Sequence, residues 1–458
     1  MRASLIAALL VVSLPLGGMA QQTDTLVLTL DEALERARGS NPAYRRAVNS
    51  AALNGTEMRT TWFGQVLPQA ELTLFQTQFT GNLTRRAFDN FGNPIERPET
   101  DWTYFSQTNQ SLDLTWSIQG ASIFNALDRQ RLTNLDRDIA EVRALTDVQI
   151  AVRRAYMDVL ERRDLLRAEE ATLEGRRTDR DAAERLFGLA MKTRVDVLNA
   201  ELAEEQQMLA VRQARSAHEQ ARLTLRTRLG DPDLPPLRLA ETPLPVFDPV
   251  GLAADDLVRT ALDVNPEVRQ VDVAVRAADL GVAEAKRSWW PSLFMNFNVA
   301  RRPQASQADA LFDVSFDETL DQRFGVGLSF PMFNDYFQNQ QGIHRARVDL
   351  RNQQESRRET ELRIEETVRS ALLELENQYE SLRLAERSAE IAGEALRLAR
   401  EEYRLGSRTF EALRDAFDQE ADTRRQVIQA RHSFVDALLS LEEAVGTQVR
   451  PSGAGLGG

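Results

Sequence analysis

The stretch SLDLTWSI, residues 111–118, alternates strictly between apolar and polar side chains. Its even positions are apolar: Leu112, Leu114, Trp116 and Ile118. Its odd positions are polar: Ser111, Asp113, Thr115 and Ser117. A period of two is typical of a β-strand whose two faces meet different surroundings. The residues that follow, about 120–187, are rich in charge and predict a long helix, so the fold has to join an amphipathic strand to such a helix.

Three further segments, near 66–80, 291–301 and 321–332, alternate in a similar way. Together with the strand at about 104–118 they give four predicted strands, and long polar loops are expected at about 81–103 and 302–320. Tilted strands of about ten residues cross a bilayer, with lipid-facing and lumen-facing side chains in turn. Aromatic residues mark the helix–strand junctions, as in the girdles of membrane barrels: Trp62, Trp116, Trp289 and Trp290. The alternation alone is also compatible with the core of a soluble β-sandwich.

The chain repeats one plan of elements at a spacing of roughly 215–225 residues. Repeat 1 (21–230) is predicted to hold a helix at about 42–63, the first two strands, and long helices at about 120–187 and 194–229. Repeat 2 (253–450) is predicted to hold a helix, the last two strands, and long helices at about 337–404 and 410–446. A proline-rich linker, 231–252, separates the repeats.

The two ends of the chain are expected to lie outside the folded part. Residues 1–20 have the features of a cleaved signal peptide: a basic Arg2, an apolar run, and the small-residue site Gly18-Met19-Ala20. Residues 451–458 are predicted to form a disordered tail.

The composition argues against several classes of function. With 69 acidic and 56 basic residues, the net charge of −13 argues against a nucleic-acid partner. The absence of cysteine rules out disulfides, thiolate metal sites and a lipid anchor on an N-terminal cysteine. The three histidines are scattered, and the motifs of phosphate loops, serine hydrolases and zinc proteases are missing. We therefore expect neither an enzyme nor a cofactor or metal site.

The long helices carry coiled-coil patterns. An apolar or small residue returns every seventh position in the stripe Val368, Leu375, Leu382, Ala389, Leu396 and Tyr403. About 65 residues of helix reach roughly 100 Å. Taken alone, the helices favour an ordinary soluble coiled coil.

The strands change this interpretation, because four strands cannot close a barrel and lipid does not tolerate open sheet edges. Three chains would supply twelve strands, which is within the known range. The residues therefore predict an oligomeric tube that crosses a membrane and continues as helices.

Three stretches resemble the outer-membrane efflux proteins of Gram-negative bacteria, or TolC-like channels: YRLGSRTFEALRDA (403–416), FGLAMKTRVDVLNAE (187–201) and TLDEALERARGSNPAYRRA (29–47). The resemblance covers about 28–447. It implies a mostly α fold with a membrane β-barrel, in which a homotrimer forms twelve strands, four per chain, continuous with a long α-helical coiled-coil barrel in the periplasm.

The resemblance also implies a function. This is a passive exit duct in the outer membrane, part of a tripartite efflux pump or a type I secretion system. Its partners would be outer-membrane lipid, a periplasmic adaptor protein and an inner-membrane pump of the RND, ABC or MFS type. The alternative, from another class, is a trimeric periplasmic or surface coiled-coil protein without a conduit. The residues do not indicate the cargo.

The resemblance places two kinds of site at the turns between long helices. Its gating positions at the periplasmic aperture are Asp196, Tyr403, Arg408 and Asp415. Its adaptor-contacting positions are Ala190, Met191, Gly406 and Ser407. An Arg408–Asp196 ion pair is expected to break when the coils untwist. The sequence departs from the family pattern at Ala412, where an aspartate of the acidic ring is usual, and at Ala190-Met191, where Gly406 marks the other turn.

Overall fold

The computed structural model of the chain describes residues 26–88, 91–119, 122–231, 237–240, 243–301, 304–305, 320–330, 332 and 334–449. The predicted signal peptide and tail lie outside these residues. The chain forms two compact units. The first, here called the turn unit, consists of Met1–Asn41, Val148–Val246 and Glu380–Asp436 as far as they are described. The second, the sheet unit, consists of Pro42–Asp147, Phe247–Tyr379 and Ala437–Gly458 as far as they are described.

Helices make up most of the described chain. In order they are α1 Leu30–Ser40, α2 Pro42–Ala51, α3 Asn54–Val66, α4 Ser122–Gly188, α5 Arg194–Leu229, α6 Ala254–Val264, α7 Pro266–Arg287, α8 Asn334–Arg404 and α9 Phe410–Val445. The predicted ranges of the four long helices agree with α4, α5, α8 and α9 to within a few residues. The predicted helix at 42–63 is instead two helices, α2 and α3, separated at Ala52–Leu53.

None of the helices in the described ranges is long and apolar enough to span a membrane.

The two repeats begin their second helix in the same way. Asn41 precedes Pro42 at the start of α2, and its Nδ2 donates to the Arg228 carbonyl, 2.7 Å away, in the last turn of α5. Asn265 precedes Pro266 at the start of α7, and its Nδ2 donates to the Ala444 carbonyl, 3.0 Å away, in the last turn of α9. The Asn-Pro pair thus supplies a helix start and also satisfies a carbonyl that a helix end leaves open.

The strands form two sheets. They are β1 Leu26–Leu28, β2 Gln69–Phe88, β3 Pro94–Gln119, β4 Leu237–Leu239, β5 Ser292–Arg301, β6 Gln304–Ala305 and β7 Asp321–Ser329. β1 and β4 pair in parallel, and β4 lies within the predicted linker. The larger sheet is antiparallel in the order β2-β3-β5-β7, with β6 beside β3.

β2 and β3 are longer than the predicted strands at 66–80 and 104–118. Their pairing continues through Arg86–Glu99 to Phe88–Pro94, so most of the expected loop at 81–103 is a hairpin instead. This extension alternates poorly between apolar and polar residues, which hid it from the sequence pattern. The corresponding predicted loop at 302–320 falls largely outside the described residues.

The register of the sheet unit places apolar residues of different strands together on one face. Leu72 of β2, Leu112 of β3 and Val299 of β5 are direct partners. The next apolar row along joins Leu114, Phe297 and Phe324 across β3, β5 and β7. The side chains of Leu72 and Phe324 are more than half exposed, so this face of a single chain is uncovered.

The opposite face is polar. One row runs across all four strands through Glu71, Asp113, Asn298 and Arg323. Within it the Asn298 amide donates to the Asp113 carboxylate, and Ser111 Oγ donates to the same carboxylate over 2.8 Å. The sheet therefore separates an apolar surface from a hydrogen-bonded polar one. The two outer strands, β2 and β7, each have a neighbour on one side only among the described strands.

Candidate functional site

The α4–α5 turn closes with a hydrogen-bond pattern typical of a Schellman motif. The Met191 N–H donates to the Leu186 carbonyl and the Ala190 N–H donates to the Phe187 carbonyl, each over 2.9 Å. Ala190 has φ +56°, in the left-handed region, where a Cβ is unfavourable. The alanine therefore takes the position that glycine usually occupies, and the turn keeps the expected geometry despite the different residue.

The α8–α9 turn repeats this pattern. The Ser407 N–H donates to the Glu402 carbonyl and the Gly406 N–H donates to the Tyr403 carbonyl, each over 3.0 Å. Gly406 has φ +77°, so it corresponds to Ala190 of the first turn. The Met191 methyl carbon lies 3.4 Å from where a Cβ of residue 406 would stand, so the predicted adaptor-contacting residues of both turns form one exposed surface.

Replacement of Ala190 by glycine is expected to stabilise the protein by about 0.5–1 kcal/mol, since the strained left-handed residue loses its Cβ. Gly406→Ala is the matched control and is expected to destabilise by about 1 kcal/mol. Apparent melting temperatures of the purified full chain provide the measurement. Equal shifts in the same direction for both variants would show that the two turns do not share this conformation.

Helices α5 and α9 begin at equivalent threonines, but their caps differ. Thr193 Oγ1 accepts from the Asp196 N–H, and the Asp196 carboxylate accepts from the Thr193 N–H over 2.9 Å, which completes a capping box. Thr409 Oγ1 likewise accepts from the Ala412 N–H over 3.3 Å. Ala412 stands at the position of Asp196 and has no carboxylate to accept a hydrogen bond from the Thr409 N–H, so α9 has no capping box.

The expected Arg408–Asp196 ion pair is not formed within one chain. The Asp196 carboxylate accepts hydrogen bonds from the backbone N–H and the hydroxyl group of Thr193. Arg408 instead pairs with Glu402, with 3.2 Å between Nη1 and Oε2, because the turn brings its side chain back over the end of α8. The predicted ring residue Asp415 is exposed and lies 3.3 Å from the Arg414 guanidinium.

Tyr403 is the centre of the hydrophobic core behind the two turns. It is 2% exposed and packs with residues of α4, α5, α8 and α9: Ala183, Val197, Ala200, Leu396, Ala399, Phe410, Leu413 and Phe417. Its ring meets that of Phe410 edge to face, with centroids 6.1 Å apart. The Tyr403 hydroxyl has no hydrogen-bond partner among the described residues.

Burial raises the pKa of two groups beside this core, the Tyr403 hydroxyl and the Asp179 carboxyl group. Burial raises the pKa of Tyr403 to about 12, and the negative charges of Asp196 and Asp179 add to the effect. Burial also raises the pKa of Asp179, although the Arg400 guanidinium, 3.7 Å away, opposes it. Both residues line a cavity of about 620 Å³ in the turn unit. At neutral pH the Tyr403 hydroxyl therefore remains protonated.

A further contact in the turn unit was not predicted from the sequence. The Phe417 ring lies against Gly175, where a Cβ would come within 2.8 Å of the ring. The guanidinium carbons of Arg176 and Arg400 lie 4.1 and 5.3 Å from its centroid. Arg176 also pairs with Asp418. This packing joins α4, α8 and α9, and a glycine in mid-helix was the signal that could have indicated it.

The predicted interface aromatics lie at the helix–strand junctions of the sheet unit. Trp62 is half exposed in the last turns of α3 and packs edge to face on Phe63. Trp290 is exposed between α7 and β5, and the neighbouring Trp289 packs on Tyr336 with centroids 5.1 Å apart. Trp116 is half-buried on the apolar face of β3. These positions suit an aromatic girdle, although the assignment stays a prediction.

Comparison with known proteins identifies the fold, and a family model that part of the chain matches. The model of the outer membrane efflux protein family matches residues 257–447, from within α6 to just past the end of α9. No curated protein sequence matches the chain. The fold is similar to that of CusC, with a TM-score of 0.71 and 18% identity over 92% of this chain and 94% of that one.

Two other solved structures share the fold. The Campylobacter jejuni CmeC outer membrane channel has a TM-score of 0.69 and 14% identity over 98% of this chain and 95% of that one. The open state of the Neisseria gonorrhoeae MtrE outer membrane channel has a TM-score of 0.69 and 17% identity over 91% of this chain and 89% of that one. At identities this low the likeness establishes the fold. The TolC-like fold and the resemblance to outer-membrane efflux proteins are therefore confirmed.

Proposed function

We propose that this chain, which matches the outer membrane efflux protein family in its second half and has the fold of solved outer-membrane channels, forms an exit duct in the outer membrane. The observation that carries the proposal is the larger sheet of the sheet unit, with its four main strands β2, β3, β5 and β7. One of its faces is apolar and uncovered, the other is polar, and both outer strands have an open edge. A sheet of this kind suits a wall between lipid and a water-filled lumen.

The open edges require further copies of the chain. Unpaired backbone groups at β2 and β7 would each cost several kcal/mol in lipid, so the sheet has to close on itself. Four strands are too few, whereas three copies supply twelve. The duct is therefore a homotrimer in which β7 of one copy pairs with β2 of the next.

The helices of the turn unit support self-association. Two stripes of exposed apolar residues follow heptad spacing, one on α5 and one on α8. The α5 stripe is Val195, Leu202, Leu209 and Leu223. The second stripe consists of Leu384, Ile391 and Leu398 on α8 and of Leu405 directly after it. Uncovered coiled-coil stripes are typical of helices that pack on a neighbouring chain, and a second copy of this chain supplies both.

The helical turns are the proposed periplasmic aperture and the contact surface for an adaptor. Within one chain Arg408 is held by Glu402, so an Arg408–Asp196 pair would join neighbouring copies. Leu189 and Leu405, both at least 70% exposed, give the turns an apolar surface for the adaptor. The duct would then serve a tripartite pump or a type I secretion system, with the inner-membrane pump selecting the cargo.

The assembly and its conduit can be tested together on the full chain. Purified from outer membranes, the protein is expected to migrate as a heat-modifiable trimer and to form channels in planar lipid bilayers. A trimer that stays soluble or conducts no current would refute the duct and favour a coiled-coil structural protein.

The proposed orientation of the two faces of β3 can be tested with single introduced cysteines, because the chain has no cysteine of its own. A cysteine at Asp113, on the polar face, is expected to react with a membrane-impermeant thiol reagent. A cysteine at Leu114, on the apolar face, is expected to react at least about tenfold more slowly, since it faces lipid. Labelling of intact cells followed by mass spectrometry gives both rates. Equal rates would contradict the proposed facing.

A further inference from the structure

Lysine is rare in this chain. Of the 56 basic residues only Lys192 and Lys286 are lysines, which leaves 54 arginines. Lys286 is exposed near the end of α7. Lys192 lies in the α4–α5 turn, between Met191 and the cap residue Thr193, and is half-buried.

Lys192 contacts two residues that the resemblance assigns to the aperture. Its Nζ donates to the Arg408 carbonyl over 2.8 Å. The same nitrogen lies 4.6 Å from the centroid of the Tyr403 ring, a distance typical of a cation–π contact. A compact ammonium with three donors can serve a carbonyl and a ring face at once, whereas the planar guanidinium of arginine favours paired oxygen acceptors.

The other polar groups of the turns are directed elsewhere. Asp196 bonds to Thr193 in its own turn, and Arg408 pairs with Glu402 on its own side. Among the described residues, the bond from Lys192 to the Arg408 carbonyl is the one hydrogen bond that joins the turn 189–193 to the turn 405–409. In front of the hydrophobic core around Tyr403, the two turns of one chain are therefore connected by this side chain and by the packing of Met191 at Gly406.

We propose that Lys192 is the positioning residue that holds the two turns together and so keeps the aperture closed. The role in closure rests on the proposed duct, while the contact itself belongs to the single chain. When the coils separate, the ammonium loses both the Arg408 carbonyl and the Tyr403 ring. Closure thus uses a polar contact within each copy in addition to any pair between copies.

The closing role is tested by single-channel recording of the full chain in planar bilayers. Lys192→Met keeps a flexible stem but removes the charge and the donors, and is expected to raise the open probability about tenfold. Lys192→Arg keeps the charge and is expected to lie between Lys192→Met and the wild type. An unchanged open probability in Lys192→Met, in a preparation whose wild type conducts, would overturn the role.

The contact is tested separately by amine acylation of the native protein, with Lys286 as the internal control. Lys192 is expected to react about tenfold more slowly than Lys286, because its nitrogen is engaged and half-buried. Equal rates would overturn the contact. If the wild type forms no channels, the duct is refuted, and the acylation rates alone decide whether Lys192 joins the turns.

Discussion

Replacement of Leu112 by lysine is expected to abolish the folded, membrane-inserted protein, whereas replacement of Thr115 by lysine leaves it nearly unchanged. The two residues lie three positions apart on β3 and therefore on opposite faces. Leu112 stands on the apolar face between Leu72 and Val299, and Thr115 stands on the polar face beside Asn296.

The expected size of the Leu112 effect follows from lipid exposure. A lysine on the lipid face of a barrel costs about 2–4 kcal/mol near the bilayer midplane. The proposed trimer would carry the substitution three times, so the total is comparable to the whole stability of an ordinary domain, about 5–15 kcal/mol. A lysine at residue 115 would meet water in the proposed lumen, beside polar groups on neighbouring strands, and would cost little.

The measurement is the yield of heat-modifiable trimer in the outer-membrane fraction. We expect at least a tenfold loss for Leu112→Lys and less than a twofold change for Thr115→Lys, since about 1.4 kcal/mol already corresponds to tenfold. A reversed order would place the polar face against lipid, and an equal loss for both variants would mean that neither face is open to water.

The local periodicity of the sequence accounts for most of this architecture. The helix α5 occupies the predicted range 194–229, since its amphipathic pattern begins at a threonine cap and ends at Gly230 in the left-handed conformation. The strands near SLDLTWSI were recognisable because one face had to be apolar. The continuation of β2 and β3 as a hairpin was not predicted, because its pairing depends on backbone hydrogen bonds, which leave no period in the side chains.

The contacts at the proposed aperture were less predictable, because hydrogen bonds and ion pairs within each turn compete with the expected Arg408–Asp196 pair. The Thr193–Asp196 capping box follows from a threonine and an acidic residue three positions on, and that signal was present in the sequence. The Arg408–Glu402 pair depends on the reversal of the chain at Gly406 and has no sequence signal of its own. The rarity of lysine in a chain rich in arginine was the overlooked indication of Lys192.

Replacement of Tyr403 by alanine is expected to destabilise the turn unit by about 3–5 kcal/mol, the range found for large buried aromatic side chains. The ring is 2% exposed, fills the core shared by α4, α5, α8 and α9, and faces Phe410. Its loss would leave a cavity next to the one of about 620 Å³ that already exists, and would also deprive Lys192 of its aromatic partner. Loss of helical circular dichroism on heating the purified full chain gives the measurement.

Tyr403→Phe distinguishes the contribution of the ring to stability from that of the hydroxyl group. The hydroxyl has no partner among the described residues, so its removal relieves a buried polar group and is expected to change the stability by less than about 1 kcal/mol. Phenylalanine also preserves the aromatic contact with Lys192. If Tyr403→Phe destabilised the protein as much as Tyr403→Ala, the hydroxyl would have to make a hydrogen bond that stabilises the core. If both variants left the melting curve unchanged, the core behind the turns would not hold them, and the Lys192 contact would have to position the aperture without its support.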